Sequence, residues 1–261
     1  MSPPSPLLLR ASQIGLFVVL ILIWHVLTAR EILPPFFFGT PLEVGQRIVA
    51  WFTSGKIYPH LGVTLLETLL AFVIGTLLGL GVGLWLALNP FASALCDPYI
   101  KAVNAMPRVI LAPIFAVWFG LGIWSKVLLG VTIVFFIVFF SVYNGVRDVN
   151  PIVVANARML GASKRQLLRH VYLPSATAWV FSSLHASVGM AFVGAVVGEY
   201  LGSARGIGYL IMQAEGVFDI NTVFAGVVVL TLCALVLDKI VSIAEVRLLK
   251  WRPGAVGGES A

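Results

Sequence analysis

The sequence predicts an all-α, polytopic transmembrane helical bundle of about six spans, and three observations point that way. Of its 261 residues, 59% are hydrophobic and only 11% are charged, whereas about a quarter of a soluble domain is charged. The mean hydropathy is +1.00. The apolar residues form runs approaching the roughly 20 needed to cross a bilayer, with Lys and Arg gathered between them. Lipid is the solvent that such a surface requires.

The first run, Ile14–Ala29, follows a short polar start, Met1–Ser12, whose one charge is Arg10. It lacks a clean A-x-A cleavage site and reads as an uncleaved anchor rather than a signal peptide. Thr40-Pro41-Leu42-Glu43 then supplies an N-cap, a proline at N1 and the Glu of a capping box. Val44, Ile48, Trp51 and Phe52 lay an apolar stripe along the helix it opens, an amphipathic segment expected at the outer interface as a packing device. Further runs follow at Leu61–Leu88, Met106–Ile123, Ser125–Tyr143, Ala176–Leu201 and Val223–Ala244. The third is the weakest: its uninterrupted apolar stretch, Val109–Leu121, is short and contains Pro113, which leaves a re-entrant segment open. Residues 1–261 are read as one transmembrane domain. Residues 1–60 are the N-terminal span and interfacial helix, about 61–250 the core, and 145–174 a cytoplasmic loop.

The distribution of Lys and Arg tests orientation. Six spans with the N-terminus inside put twelve of them in the cytoplasm: Arg10, Lys101, Arg108, Arg147, Arg158, Lys164, Arg165, Arg169, Lys239, Arg247, Lys250 and Arg252. Five fall outside: Arg30, Arg47, Lys56, Lys126 and Arg205. Dropping the third span and placing the N-terminus outside gives the same split. Both topologies put the segment Gly145–Pro174 and the C-terminus inside.

Glycines at four-residue spacing, Gly75, Gly79 and Gly83 in the second span and Gly194, Gly198 and Gly202 at the fifth, allow close helix packing. Sliding faces or a pathway lining are the sharper alternative.

Several function classes are excluded or left without support. No basic stripe interleaved with aromatics suggests nucleic acid. Cys96 and Cys233 are far apart in sequence, and His25, His60, His170 and His185 show no metal-ligand spacing, so no metal site is expected. There is no GxxxxGK[ST] phosphate loop. No paired carboxylate or Ser/His/Asp set supports an enzyme.

The loop from Gly145 to Pro174 is basic and internally organised. Asn150-Pro151 is a helix start, Asn as cap and Pro at N1, for a helix over Ile152–Leu160. Gly161 is suited to end it in the left-handed conformation. Ser163-Lys164-Arg165-Gln166 is a capping box that opens a second helix through Tyr172, with Leu167, Leu168 and Val171 as its apolar face. Pro174 fits the first turn of the fifth span.

Gly161, nine intervening residues, then Val171-x-Leu173-Pro174 resembles the EAA-x3-G-x9-I-x-L-P signature of ABC importer permeases. Ala157 matches the last Ala of EAA, while Ala155 and Asn156 stand for its Glu and first Ala; Ala162 and Ser163 continue the turn. Pro107-Arg108, Ala112-Pro113-Ile114-Phe115 and Trp118-Phe119-Gly120 resemble the third-span region of the nitrate/sulfonate/taurine branch. Gly198-Glu199 and Gly206-Ile207-Gly208-Tyr209 resemble that branch near its fifth span. The resemblance implies type I importer permease architecture in a bacterial inner membrane. It implies a loop docked on a cytoplasmic ABC ATPase dimer, which binds ATP and Mg²⁺ while this chain binds no cofactor. It also implies an extracytoplasmic substrate-binding protein and a second permease copy, a homodimer by branch. The solute expected is small and anionic or organic. A secondary transporter or channel needing no ATPase is the alternative, and a membrane-bound enzyme a third, although no repeated halves support the second.

Ionisable groups inside spans mark candidate pathway residues. Arg108, at the start of the weak third span, meets either a planar anion or lipid headgroups. Glu199, in a Gly-rich and expectedly irregular end of the fifth span, suits a gate or packing role. Glu67 is expected near the outer interface. Asp238 and Lys239 lie at an inner helix end, where Lys snorkels.

Overall fold

The computed structural model describes residues 5–248, so Lys250 and Arg252 lie outside the described residues. All regular structure among these residues is helical. The first helix, α1 (Pro6–Ala29), opens on Ser5, whose hydroxyl accepts from Leu8 N. Its side chains face outward almost all round, as a helix bathed in lipid requires. Only its far end is tied down: Trp24 Nε1 donates to Phe38 O at 3.3 Å, and the indole leans on Phe224.

A single turn, α2 (Pro35–Phe38), leads into α3 (Pro41–Thr53). Thr40 caps α3 as expected, accepting from Glu43 N. The box is not closed, however. Thr40 N donates instead to Asn221 Oδ1 at 2.9 Å, and the Glu43 carboxylate takes the Asn221 amide. Three of the four residues of the expected stripe pack inward: Val44 and Trp51 are buried, with Ile48 beside them, against Ile207, Leu210, Ala225 and Val229, whereas Phe52 is exposed and lies edge-on to Tyr58.

Three long helices form the core. They are α4 (Ile57–Leu88), then, after a bent pair, α7 (Ile123–Arg147), and α10 (Leu173–Leu201). A Cβ added at Gly75 would stand 2.7 Å from Val134 Cβ, at Gly79 2.8 Å from Val138 Cβ, and at Gly83 3.1 Å from Val142 Cβ. The glycines therefore serve close packing, since Cα–H faces let backbones meet where lipid gives no hydrophobic drive. Each contact advances along both helices together, so α4 and α7 run parallel. In contrast, Gly145 meets Trp179, Gly130 meets Gly194, and Lys126 meets Gly198, so α10 runs antiparallel to α7.

Parallel α4 and α7 oblige the intervening chain to return across the membrane. It does so as α5 (Pro90–Ala105) and α6 (Leu111–Phe119), joined by a 3-10 turn at Arg108–Ile110 and bent by 78°. Ser93 meets Tyr143 at the inner end of α7, Arg108 lies over Phe136, and Leu121 and Ala116 approach Gly202. The third span is thus a broken crossing from Pro90 to Phe119, longer than the expected Met106–Ile123, and not a re-entrant loop. The break has a local cause. Pro107 disfavours helix at the residue before it, and Met106 is extended at ψ 132. With six crossings the N-terminus and the basic loop share one side.

The loop carries α8 (Pro151–Met159) and α9 (Lys164–Leu167). Beyond α10, α11 (Ile207–Gly216) and α12 (Ile220–Leu248) pack together, with Ile211 on Gly226.

Gly75→Ala is expected to lower the thermal stability of the detergent-solubilised protein by about 1–3 kcal/mol through overpacking. Gly81→Ala, in the same helix with nothing within 4 Å, should be neutral or raise it by up to about 1 kcal/mol. Equal melting temperatures for the two variants would contradict the packing described.

Candidate functional site

Three places carry the chemistry: the basic loop at the inner end, the break in the third span, and an outer corner where α4, α7, α10 and α11 meet.

In the loop, Asn150 Oδ1 accepts from Ile152 N at 2.9 Å with Pro151 at the first position of α8. Gly161 ends the turn at φ 82, its N–H donating to Arg158 O, while Ala162 N donates to Ala157 O. The Ser163–Gln166 box is complete in both directions, at 3.3 and 2.8 Å. The second helix differs from expectation. After α9 a π-helical stretch, Leu168–Tyr172, runs directly into α10, so Val171, Leu173 and Pro174 belong to one rod continuous with the fifth span. Leu167 is its buried residue. Ala157, Gly161, Ala162 and Val171 line a cleft of about 250 Å³ between the two arms. Met159 and Leu160 project from it, 79% and 90% exposed. Ala155 borders a separate cavity of about 420 Å³ together with Arg147 and Arg158. Asn156 is exposed.

Arg108 sits in the break between α5 and α6, half-buried. Its guanidinium lies 5.0 Å from the Phe136 ring centroid, level with the middle of the 25-residue α7 rather than with its end. One terminal nitrogen donates to Asn104 Oδ1 and to its backbone oxygen, whereas Nε is buried without a partner. Headgroup anchoring does not match this depth. Broken helices at mid-depth leave backbone groups and charges free to meet a solute.

The outer corner joins residues that no sequence spacing connects. Glu67, Lys126 and Glu199 are 1%, 1% and 0% exposed. Glu67 therefore faces the bundle interior and not the interface, and Lys126 is not a loop charge but part of the first turn of α7. Its ammonium donates to Leu121 O and Gly122 O at 2.7 and 3.0 Å, closing the turn that enters the helix. The helix α10 stays regular through Leu201, so the expected irregular end does not occur. Instead Glu199 reaches across to α11, where Oε2 accepts from Gly208 N at 2.8 Å. Thr64 Oγ1 accepts from Ile207 N at 3.1 Å, and His60 Nδ1 from Gly206 N at 3.2 Å. A carboxylate and a hydroxyl from two other helices thus satisfy the free N–H groups at the start of α11, where the helix dipole also favours negative charge. One turn further in, Ala71, Gly130 and Gly194 of the same three helices meet, so Glu67, Glu199 and Lys126 come together in one buried layer. A paired carboxylate does exist, contrary to expectation; no local spacing could reveal partners 132 residues apart. Gly206 is required here, since at φ 114 its Cβ would lie 2.1 Å from Glu199 Cδ.

Asp238 Oδ1 meets His185 Nε2 at 3.0 Å on an exposed face between α10 and α12.

Comparison with known proteins adds the following. A family described as "Binding-protein-dependent transport system inner membrane component" matches residues 75–250. The chain is 31% identical over 234 residues to a putative aliphatic sulfonates transport permease protein of Bacillus subtilis (strain 168), covering 90% of this chain and 85% of that one. It is 28% identical over 244 residues to the taurine transport system permease protein of Escherichia coli (strain K12), with coverage of 92% and 89%. A formylaminopyrimidine transport permease protein of Halalkalibacterium halodurans is 31% identical over 236 residues, covering 90% and 94%. Among solved structures, an inward-facing MetNI methionine ABC transporter aligns with a TM-score of 0.62 at 18% identity, over 74% of this chain and 94% of that chain. An amino acid ABC transporter aligns at 0.61 and 19%, over 76% and 98%. These structural likenesses concern the fold.

Gly206→Ala is expected to displace Glu199 and destabilise the solubilised protein by about 1–3 kcal/mol, read as a fall in melting temperature. An unchanged melting temperature would mean that the corner is looser than described.

Proposed function

The chain belongs to the binding-protein-dependent transport system inner membrane components, the permease subunits of ABC importers in the bacterial inner membrane, and on that premise we propose that it forms half of a pathway for a small organic anion, driven by a cytoplasmic ABC ATPase dimer. The exposed apolar residues Ile152, Met159 and Leu160 on the basic loop support docking of that ATPase, because apolar groups projecting from a polar loop into water call for a protein partner. ATP and Mg²⁺ are handled there and not by this chain. A substrate-binding protein delivers the solute at the opposite end.

Val109 and Ile110, beside Arg108, are exposed, so the wall they form lacks its opposite side. A second copy of this chain supplies that side.

The single observation carrying the anionic reading is Arg108 at mid-depth, with no acidic partner among the described residues and a free Nε. Its planar donors match sulfonate or another oxyanion. The relatives named for sulfonates and taurine agree with this. A relative named for formylaminopyrimidine is equally similar, so the reading rests on Arg108 and not on names.

Two experiments test the proposal in vesicles containing the permease and its ATPase. Nothing lies within 4 Å of a Cβ at Gly161, so only its left-handed backbone limits substitution. Gly161→Asn should transport, while Gly161→Val should insert yet lose coupling of uptake to ATP hydrolysis. Wild-type uptake by Gly161→Val would sink the coupling assignment. Arg108→Gln should reduce taurine or alkylsulfonate uptake at low concentration about tenfold or more, the effect of losing a charged hydrogen bond, with Arg108→Lys intermediate. Uptake unaffected by Arg108→Gln would remove the anion contact.

A further inference from the structure

The outer corner holds three ionisable side chains that neither the pathway nor the coupling loop uses. Glu67 comes from α4, Lys126 from α7 and Glu199 from α10, and each is 1% exposed or less. Lys126 is committed to the carbonyls of Leu121 and Gly122. Glu199 has committed one oxygen to Gly208 N. What is left over is specific: Glu67 Oε2 and Glu199 Oε1 are buried and receive no N–H or O–H from the described residues.

An ionised carboxylate only accepts hydrogen bonds, whereas a protonated one donates a single O–H. Two buried carboxyls brought side by side, each with an oxygen left over, can therefore hydrogen-bond to each other only if one of them carries a proton. We infer that Glu67 and Glu199 form a binding site for one proton, shared between them, which locks α4 to α10 and thereby fixes the start of α11. One acid, one carboxylate and the Lys126 ammonium sum to zero charge. Ionising both carboxyls would leave an uncompensated buried charge, which membrane interiors and protein cores disfavour strongly.

The surroundings agree with a proton rather than a metal ion. Among the described residues there is no group of three or more His, Cys, Asp or Glu placed to hold a metal. The other titratable or charged groups nearby are His60 on α4, hydrogen-bonded to Gly206 and stacked on Tyr209 of α11, with Lys56 and Arg205 around it. None of these donates to either free oxygen. Glu199 and Glu67 act through α11 and not on the solute, so they are positioning residues.

The sign of the linkage follows. The folded corner binds a proton that an unfolded chain has released at neutral pH, so stability falls as pH rises. One proton corresponds to at most a tenfold change in the unfolding equilibrium per pH unit.

The test is the thermal stability of the purified transporter between about pH 6 and 9, in wild type and in Glu67→Gln. Glutamine keeps a permanent donor towards Glu199 and cannot titrate. The wild type should lose stability as pH rises, and Glu67→Gln should flatten that slope. A purely structural Glu67 would shift the whole curve without changing its slope, and that result overturns the inference. Should Glu67→Gln fail to fold, infrared spectroscopy of the wild type decides. A protonated-carboxyl carbonyl band, shifted in deuterium oxide and present at neutral pH, supports the shared proton, and its absence refutes it. Neither readout depends on transport, so a failure here is distinct from a failure of the proposed function.

Discussion

Contact between α4 and α7, backbone against backbone over Gly75, Gly79 and Gly83, is the constraint from which the rest of the bundle follows. In lipid, helices associate by close packing and not by escape from water, and side chains at these three positions would hold the helices apart. The pairing is parallel, and this has a topological effect. Two parallel neighbours in sequence order cannot be joined by a short turn, so the chain between them must cross back. That obligation makes a full crossing out of a segment whose middle, at Met106-Pro107, is not helical. The crossing that carries Arg108 is therefore a consequence of packing elsewhere, while its break is set locally by Pro107.

Legibility in the sequence tracked distance along the chain. Local devices could be read directly: the Asn150 cap, the left-handed Gly161 and the Ser163–Gln166 box all occur as their residue types imply. Thr40 was half legible, since its cap to Glu43 N is local, whereas the return bond comes from Asn221, 181 residues away. The outer corner was illegible for the same reason. Lys126 looks like a positive loop residue because the residues before it, Gly120-Leu121-Gly122, read as a turn; only the fold shows that its ammonium closes that turn from inside. Glu67 has no near neighbour in sequence that would explain its burial. The third span begins earlier than its apolar run, because Pro90–Ala105, with Asp97, Pro98 and Lys101, is not apolar enough to read as membrane-crossing.

The two ends of the molecule solve the problem of charge differently. At the inner end cations stay in water, and Arg147, Arg158, Lys164 and Arg165 are exposed. At the outer end Arg30, Arg47, Lys56 and Arg205 are exposed too, but Lys126 and Glu199 are internal and held at helix starts: an ammonium on the carbonyls entering α7, a carboxylate oxygen on an amide opening α11. Polar groups buried in this way fix geometry more tightly than apolar contacts do, because a displaced partner leaves an unmet donor or acceptor.

The π-helical stretch Leu168–Tyr172 makes the second arm of the basic loop and Glu199 parts of a single shaft. From Leu173 to Leu201 the helix has 29 residues, a length of about 43 Å at 1.5 Å per residue. A wide turn in a helix is an inserted residue, and one residue sets the azimuth of everything beyond it by about 100°. The angular register between the inner loop and the outer corner is thus written in those five residues. Removing one of them would leave both ends intact and point Glu199 away from α11, as a key cut correctly but turned in the lock.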